Sequence, residues 1–256
     1  MGRVRVIPVL LLKDNGLVKT MRFKNEVYIG DPINAVKIFN EKEVDELIIL
    51  DISATSGKKK PNIDMISNIA SECFMSLCYG GGITTLDEIK KLLFTGIEKV
   101  SLNSSAAKKS TLITEAATLF GSQSIVVSID VKKNIFGQYS VFTNGGTVNL
   151  KRNPAQFAKE MQEKGAGEIF LTSIDKEGTG EGYDLELIQK VSSVLTIPLI
   201  ACGGAGNIID FSEAVQSGAS AVAAGSMFVF QGKLKGVLIN FPSQESLAKQ
   251  LYALQN

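Results

Sequence analysis

Short runs rich in β-branched residues alternate with longer amphipathic stretches from one end of the chain to the other. The runs predict eight strands: Val4–Leu12, Glu46–Ser53, Met75–Tyr79, Lys99–Asn103, Ser124–Asp130, Glu168–Thr172, Pro198–Ala201 and Ala221–Ala224. Helical spacing of apolar residues predicts eight helices near Pro32–Glu43, Ile63–Glu72, Leu86–Thr95, Lys108–Phe120, Pro154–Glu163, Leu185–Val194, Phe211–Ser217 and Gln244–Leu254. Such alternation indicates βαβ units and a parallel sheet. Eight pairs favour a single closed (β/α)8 TIM barrel over an open doubly wound sheet, which usually carries a glycine fingerprint after its first strand.

The two halves of the sequence repeat each other. Gly81-Gly82 and Gly203-Gly204 are 122 positions apart, and the same offset relates Glu46 to Glu168 and Ser104 to Ser226. The repeat predicts a (βα)4 unit used twice, with two-fold pseudosymmetry about the barrel axis. We therefore expect one domain over residues 1–256, built of half-barrels at about 1–122 and 123–256.

The segment from Lys13 to Gly30, after the first predicted strand, is long, polar and basic. A long βα connection at the top of a barrel is typical of an active-site lid. We expect a mobile loop there.

Composition narrows the classes of function. The net charge of +1 gives no reason to expect a nucleic acid or membrane partner, and no apolar run approaches the roughly 20 residues that span a bilayer. The three cysteines lack zinc-ligand spacing, which favours free thiols in a reducing cytoplasm. The chain has no histidine, which excludes Ser-His and Cys-His nucleophiles and histidine-ligated metal sites. We expect neither a metal nor a cofactor.

Two glycine clusters at predicted strand ends indicate two anion sites. Glycine lets backbone N–H groups approach an anion, and the loops after the seventh and eighth strands are the usual phosphate site of a barrel. The clusters with their following polar residues are Gly81, Gly82, Asn103 and Ser104, and Gly203, Gly204, Gly225 and Ser226. The glycines could instead only form tight turns. Their repetition in register, each with a hydroxyl residue, favours a ligand that carries a phosphate at each end.

Asp130 is the main candidate for acid–base chemistry. It ends the fifth predicted strand, between the two clusters, where a carboxylate could reach the middle of a bis-phosphate. Its alternative role is structural, paired with Lys132. Aligning the first predicted strand with the fifth, so that Lys13 matches Lys132, pairs Asp130 with Leu11, so a mechanism with paired carboxylates lacks one acid. Of the other carboxylates near strand ends, which are Asp51, Asp175 and Glu177, Asp51 is the best placed substitute, and binding of a substrate hydroxyl is its alternative role.

Four charged residues stand at the opposite ends of the strands, namely Arg5, Glu46, Lys99 and Glu168. Together they could form an alternating ring that closes the barrel floor. Charges at the bottom face of a barrel usually serve stability, and position alone favours that interpretation.

The sequence resembles the HisF family, the cyclase subunit of imidazole glycerol phosphate synthase, over essentially its whole length. The runs that carry the resemblance are Ile7-Pro8, Gly16–Lys19, Gly30–Pro32, Asp45–Leu47, Leu50–Ile52, Gly80–Ile83, Lys99–Ser101, Gly121–Gln123, Gly165–Ile169, Gly182–Leu187 and Gly203–Gly206. The related isomerase HisA shares the barrel and the duplication but not these longer runs.

The resemblance implies a glutaminase partner of the HisH type, docked at the barrel floor. Ammonia would then enter through a gate formed by Arg5, Glu46, Lys99 and Glu168. A ribulosyl bis-phosphate held by both glycine clusters would be cyclised and cleaved by two aspartates, with Lys19 as the matching lysine of the mobile loop.

Leu11 departs from the family, because it replaces the first catalytic aspartate. The resemblance therefore extends to HisF-like paralogues of surface-polysaccharide clusters, in which a hydrophobic residue stands here and the ammonia serves a sugar amidotransferase. The segments Met227–Lys233 and Val237–Ser243 are similar to those paralogues. Three alternatives stay open: a cyclase of histidine biosynthesis, a non-catalytic conduit that activates the glutaminase, and a HisA-like isomerase, which Leu11 disfavours equally.

Overall fold

Eight parallel strands close on themselves into a barrel in a computed structural model, which describes residues 3–57, 59–232 and 234–255. The strands are β1 (Arg5–Lys13), β2 (Glu46–Asp51), β3 (Ser76–Gly80), β4 (Lys99–Leu102), β5 (Ile125–Lys133), β6 (Glu168–Ser173), β7 (Leu199–Cys202) and β8 (Ala221–Ala224). Each strand pairs with the next in parallel, and β8 returns to β1, where Ala221 lies opposite Arg5. The predicted (β/α)8 barrel is confirmed.

Eight helices surround the barrel: α1 (Pro32–Glu41), α2 (Ile63–Ser71), α3 (Leu86–Phe94), α4 (Thr111–Phe120), α5 (Pro154–Glu163), α6 (Leu185–Ser192), α7 (Ile208–Gln216) and α8 (Gln244–Gln250). Short helices follow three strands, at Ile52–Gly57, Ser104–Lys108 and Ser226–Val229, and 3-10 turns occur at Ser122–Ser124 and Tyr252–Gln255. In the described parts of the chain, no helix has the length and apolar character needed to cross a membrane.

Two predicted helix starts were wrong, each for a local reason. The α4 helix begins at Thr111 rather than Lys108, because Lys108 ends the separate short helix after β4. The α7 helix begins earlier than Phe211, because Asn207 caps it and accepts hydrogen bonds from the Ile209 and Asp210 N–H groups.

The segment after β1, predicted as a long mobile loop, contains a β-hairpin. Strands Gly16–Met21 and Lys24–Gly30 pair antiparallel, and the first continues the sheet from β1, with Leu11 opposite Val18. The turn residues Arg22 and Phe23 have left-handed backbone conformations, with φ of 53° and 60°. Turns of this kind usually contain asparagine or glycine, and neither residue is of those types, so the sequence carries no signal of the turn. Smaller antiparallel pairs follow β5 (Tyr139–Thr143 with Val148–Asn149) and β8 (Phe230–Gln231 with Gly236–Val237).

The predicted internal repeat extends to element boundaries. Shifting by 122 positions superimposes the bounds of β2 on β6, β4 on β8, α1 on α5, and α3 on α7. Even the helix caps correspond: Thr85 and Glu88 form a capping box on α3, and Asn207 and Asp210 form one on α7. The two halves therefore use the same local interactions to begin the same elements.

The apolar core has two parts, one between the strands and the surrounding helices and one inside the barrel. Because side chains alternate along a strand, one face of each strand packs on the helices and the other points inward. The inner cluster comprises Ile7, Val9, Ile48, Cys78, Val126, Phe170, Ile200, Ala221 and Ala223. It fills the middle of the barrel, with charged side chains below it and polar side chains above it.

Replacing Asp210 with alanine should lower the free energy of unfolding by about 1–2 kcal/mol, because the buried carboxylate accepts hydrogen bonds from the Gly206 and Asn207 N–H groups at 2.7 and 3.1 Å. The measurement is urea unfolding at neutral pH. Glu213→Ala, an exposed position on the same helix, is the control and should change stability by less than about 0.5 kcal/mol. Equal effects of the two substitutions would contradict the capping role.

Candidate functional site

A cavity of about 560 Å³ opens at the carboxyl ends of the strands. Both glycine clusters line it, together with Leu11, Lys19 and Asp130. The residues that the sequence assigned to a substrate site therefore come together in one place. Among the exposed charged residues that line this cavity, three lysines, Lys59, Lys60 and Lys108, outnumber one carboxylate, Glu26, so the rim has an excess of positive charge that suits an anion.

The glycines of the first cluster are required by the backbone itself. Gly81 and Gly82 have φ of 125° and 69°, and a side chain on Gly81 would lie 2.3 Å from the Asp51 carbonyl oxygen. Ser104 begins the short helix after β4, and its hydroxyl donates to Asn144 Oδ1 at 2.9 Å and accepts from the Asn144 N–H at 3.1 Å. Tight turns thus account for these glycines, so the case for an anion depends on the polar groups around them.

The second cluster contains a buried hydroxyl group that has no hydrogen-bond partner in the part of the chain that the structure describes. Gly203 and Gly204 again have positive φ, and a side chain on Gly204 would lie 2.1 Å from the Gly182 carbonyl oxygen. Ser226 begins the short helix after β8, and its Oγ is buried with no hydrogen-bond partner among the described residues. Buried polar groups are nearly always paired, so this unpaired hydroxyl at the cavity wall is suited to donate a hydrogen bond to a ligand.

Asp130 projects from β5 into the cavity and is 9% exposed. Asn103 Nδ2 donates to Asp130 Oδ2 at 3.1 Å and also to the Ser128 carbonyl oxygen at 3.1 Å. Burial raises the pKa of Asp130 to about 7, and the hydrogen bond from Asn103 only partly opposes this. A carboxyl group with that pKa can both accept and donate a proton near neutral pH.

Leu11 lines the cavity from β1, and the strand register places it beside Leu50 of β2. Asp130 lies beside Thr172 of β6. The cavity therefore has an apolar wall and a polar wall, formed by Val9, Leu11 and Leu50 on one side and by Ser128, Asp130 and Thr172 on the other. The two-fold repeat of the backbone is not matched by a two-fold repeat of the chemistry.

Asp51 occupies a capping position at the end of β2. Its Oδ1 accepts hydrogen bonds from the Ser53 N–H, the Ser53 hydroxyl and the Ala54 N–H at 2.9, 2.7 and 3.0 Å, and the Tyr79 hydroxyl donates to Oδ2 at 3.4 Å. These contacts hold the start of the short helix Ile52–Gly57. A direct part in catalysis stays a prediction for Asp51.

Lys19 lies inside the cavity and not on a detached loop. It is 5% exposed, and its Nζ donates to Glu177 Oε1 at 2.9 Å. A side chain on Gly225 would lie 2.5 Å from Lys19 Nζ, so the ammonium group rests directly against the second cluster. In the sequence, Glu177 stands out only as one of several carboxylates near strand ends. Its pairing with Lys19 had no signal, because the two residues are 158 positions apart.

The four charged residues at the floor form a closed ring, and each is the first residue of its strand. Arg5 contacts Glu46, and donates to Glu168 Oε1 at 2.8 Å. Lys99 Nζ lies 3.0 Å from Glu46 Oε1 and 3.2 Å from Glu168 Oε2. Each cation thus bridges both carboxylates, and the alternating arrangement seals the lower end of the inner apolar cluster.

Comparison with known proteins places the chain in a family. The family model described as "Histidine biosynthesis protein" matches residues 5–235. A Pseudomonas aeruginosa protein named "Putative imidazole glycerol phosphate synthase subunit hisF2" is 52% identical over 248 residues, which cover 96% of this chain and 99% of that protein. The "Imidazole glycerol phosphate synthase subunit HisF" of Campylobacter concisus is 47% identical over 226 residues, covering 88% of this chain and 89% of the relative. The chain therefore belongs to the HisF family of histidine biosynthesis proteins.

Proposed function

We propose that the chain is the synthase subunit of a glutamine amidotransferase, which receives ammonia through the barrel floor and delivers it to a phosphorylated ligand at the mouth. The observation that carries the proposal is the order of three layers along the barrel axis. A closed ring of charges lies at the floor, an apolar layer fills the middle, and a cavity containing Asp130 lies above.

The floor suits controlled passage of a small neutral molecule. The ring is held by paired charges, and Glu46 and Lys99 are largely withdrawn from water at 2% and 14% side-chain exposure. Above it, the inner cluster consists of apolar side chains and one thiol, which is only a weak hydrogen-bond group, so ammonia would pass more readily than ammonium, whose charge is costly to bury. We assign the ring the role of gate.

The floor also carries apolar surface for the ammonia-producing partner. Phe74, Phe94 and Leu119 are 86%, 81% and 63% exposed and lie in or beside three consecutive αβ connections, which lead to the lower ends of β3, β4 and β5. Large exposed apolar side chains grouped in one region are typical of a protein interface. The relatives are named as subunits, and we propose a HisH-type glutaminase as the partner at this face.

The mouth suits a ligand with two phosphates. Ser226 and Ser104 each begin a short helix at corresponding positions of the repeat, and Lys19 rests against the second cluster. The assigned phosphate-binding residues are Gly81, Gly82, Asn103, Ser104, Gly203, Gly204, Gly225 and Ser226. Asp130 would lie near the middle of such a ligand, where it could transfer a proton.

The acceptor is proposed to differ from that of histidine biosynthesis. Leu11 can neither accept nor donate a proton, so a mechanism with two carboxylates lacks one member. We therefore favour a divergent paralogue that supports sugar amidation in surface-polysaccharide biosynthesis, together with a sugar amidotransferase. A working cyclase is the second candidate, favoured by retention of Asp130 with its pKa near 7. A passive conduit is disfavoured by the orphaned Ser226 hydroxyl, because a conduit needs no ligand site.

Leu11→Asp should restore cyclase chemistry to a chain that lacks it. With saturating ammonium and the histidine-pathway bis-phosphate, we expect no measurable turnover by the native chain and a gain of at least about 10²-fold in the variant. Leu11→Asn, which matches aspartate in shape but is not an acid, is the control and should gain nothing. Near-normal turnover by the native chain would establish the cyclase instead, and silence from all three proteins would mean that this bis-phosphate is not the acceptor.

Lys99→Met should uncouple the two ammonia sources, because it opens the ring and leaves Glu46 and Glu168 short of a partner. The measurement uses an acceptor on which the native chain is active. Relative to the native chain, glutamine-dependent turnover should fall roughly tenfold, while turnover with added ammonium should stay within about twofold. Lys159→Met, at an exposed position on α5, is the control. A parallel loss of both activities, or no loss at all, would remove the gate assignment.

Asp130 should make stability depend on pH. Its folded pKa of about 7 exceeds the ordinary aspartate value of 3.8, so the folded protein holds a proton that the unfolded chain releases. This contribution is complete below about pH 4 and is lost as pH rises through 7, amounting to at most about 4 kcal/mol. The unfolding free energy of the native chain should therefore fall relative to Asp130→Asn between pH 4 and 8, as measured by urea titration. Asp64→Asn at an exposed site should show no such trend.

A further inference from the structure

Backbone groups of the loop after β6 hold the tip of the hairpin after β1, since Arg22 Nε donates to the Asp175 carbonyl oxygen at 3.0 Å and the Arg22 N–H donates to the Glu177 carbonyl oxygen at 2.9 Å. The buried side chain of Glu177 adds further contacts. Its two carboxylate oxygens have different partners. Oε1 accepts from Lys19 Nζ at 2.9 Å, whereas Oε2 accepts from the Thr20 hydroxyl at 3.1 Å and from the Phe23 N–H at 3.2 Å. Glu177 is 6% exposed, so these hydrogen bonds compete little with water.

The tip of the hairpin depends on such contacts, because its own conformation is unfavourable. Arg22 and Phe23 both have left-handed backbone conformations, which are unfavourable for residues other than glycine because of the clash between Cβ and the following carbonyl oxygen. The Phe23 ring lies over Gly146, where an added side chain would come within 3.1 Å of it. Tertiary contacts, and not local preference, therefore fix the tip against the hairpin after β5.

Lys19 lies between the Glu177 carboxylate and the proposed phosphate site. Its ammonium group is paired with Glu177 and also rests against Gly225, the residue before Ser226, whose buried hydroxyl has no partner within the described ranges of the chain. A phosphate that accepted from the Ser226 hydroxyl would meet this ammonium group, and it would also meet the negative charge of Glu177. A lysine has three N–H donors, but one positive charge cannot neutralise both anions.

We infer that Glu177 is a positioning residue with two separable functions. Its Oε2 anchors the hairpin over the cavity, and its Oε1 pairs with Lys19 until a ligand phosphate takes the place of Oε1 as the partner of Lys19. The inference rests on the proposed phosphate site at Gly225 and Ser226. Because Thr20 and Phe23 use the other oxygen, the hairpin can stay docked while Lys19 turns to the ligand. Ligand binding in the cavity would thus change the partner of Lys19 from Glu177 to the phosphate, while the hairpin stays closed over the cavity.

Two substitutions separate the two functions. Glu177→Gln keeps one oxygen for Thr20 and Phe23 but removes the negative charge beside Lys19. Glu177→Ala removes both. Titration with inorganic phosphate by calorimetry should show about tenfold tighter binding for Glu177→Gln than for the native chain, and the gain should vanish when Lys19→Met is added. Hydrogen exchange over residues 16–30 should be unchanged in Glu177→Gln and at least about tenfold faster in Glu177→Ala, with exchange in the outer helices unchanged in both.

The outcomes distinguish this inference from the function on which it rests. Unchanged phosphate affinity in Glu177→Gln, or a gain that persists without Lys19, would overturn the competition, provided that Ser226→Leu abolishes binding and so verifies the site. Unchanged hairpin exchange in Glu177→Ala would overturn the anchoring. No phosphate binding by any variant would overturn the phosphate site itself, and the competition with it, while hydrogen exchange would still decide whether Glu177 holds the hairpin.

Discussion

Closure of the strand ring is the constraint on which the rest of the structure depends. Because β8 pairs with β1, the eight-stranded sheet has no open edge. Every second side chain of each strand then points into the barrel, where each layer has room for only a few side chains. The inside of the barrel is therefore stratified. Residues at strand starts form the floor, residues in the middle must be apolar, and residues at strand ends form a cavity. Position along a strand decides the chemistry that a side chain can perform.

The duplication supplies a symmetric scaffold, and the chemistry departs from it at a few positions. Corresponding elements keep the same bounds, and their helices begin with the same capping arrangement. Leu11 and Asp130 occupy related places, yet one makes the wall apolar and the other carries a carboxyl group with a pKa near 7. One inward-facing side chain therefore decides whether this wall of the cavity carries an acid, while the strand pairing around it is the same in both halves.

Much of this architecture was predictable, and the failures have physical causes. Alternating apolar runs predicted the barrel, and the repeat predicted which glycines would share a cavity. The hairpin was missed because its turn is formed by Arg22 and Phe23, which are held in an unfavourable conformation by distant contacts. The pairing of Lys19 with Glu177 was missed because it joins two loops far apart in sequence. The capping role of Asp51 depends on the local course of the chain after β2, which periodicity does not reveal.

The inner apolar layer contains a thiol, and this has a consequence for chemical labelling. Cys78 is 1% exposed, and burial raises its pKa well above the ordinary value, so it should be a slow nucleophile toward alkylating reagents while the floor is sealed. Cys202 lines the cavity, and burial raises its pKa to about 12. Reagents that enter from the floor would meet Cys78, and reagents that enter from the mouth would meet Cys202. The barrel thus carries a native reporter of access at each end, and their labelling rates would record which end opens.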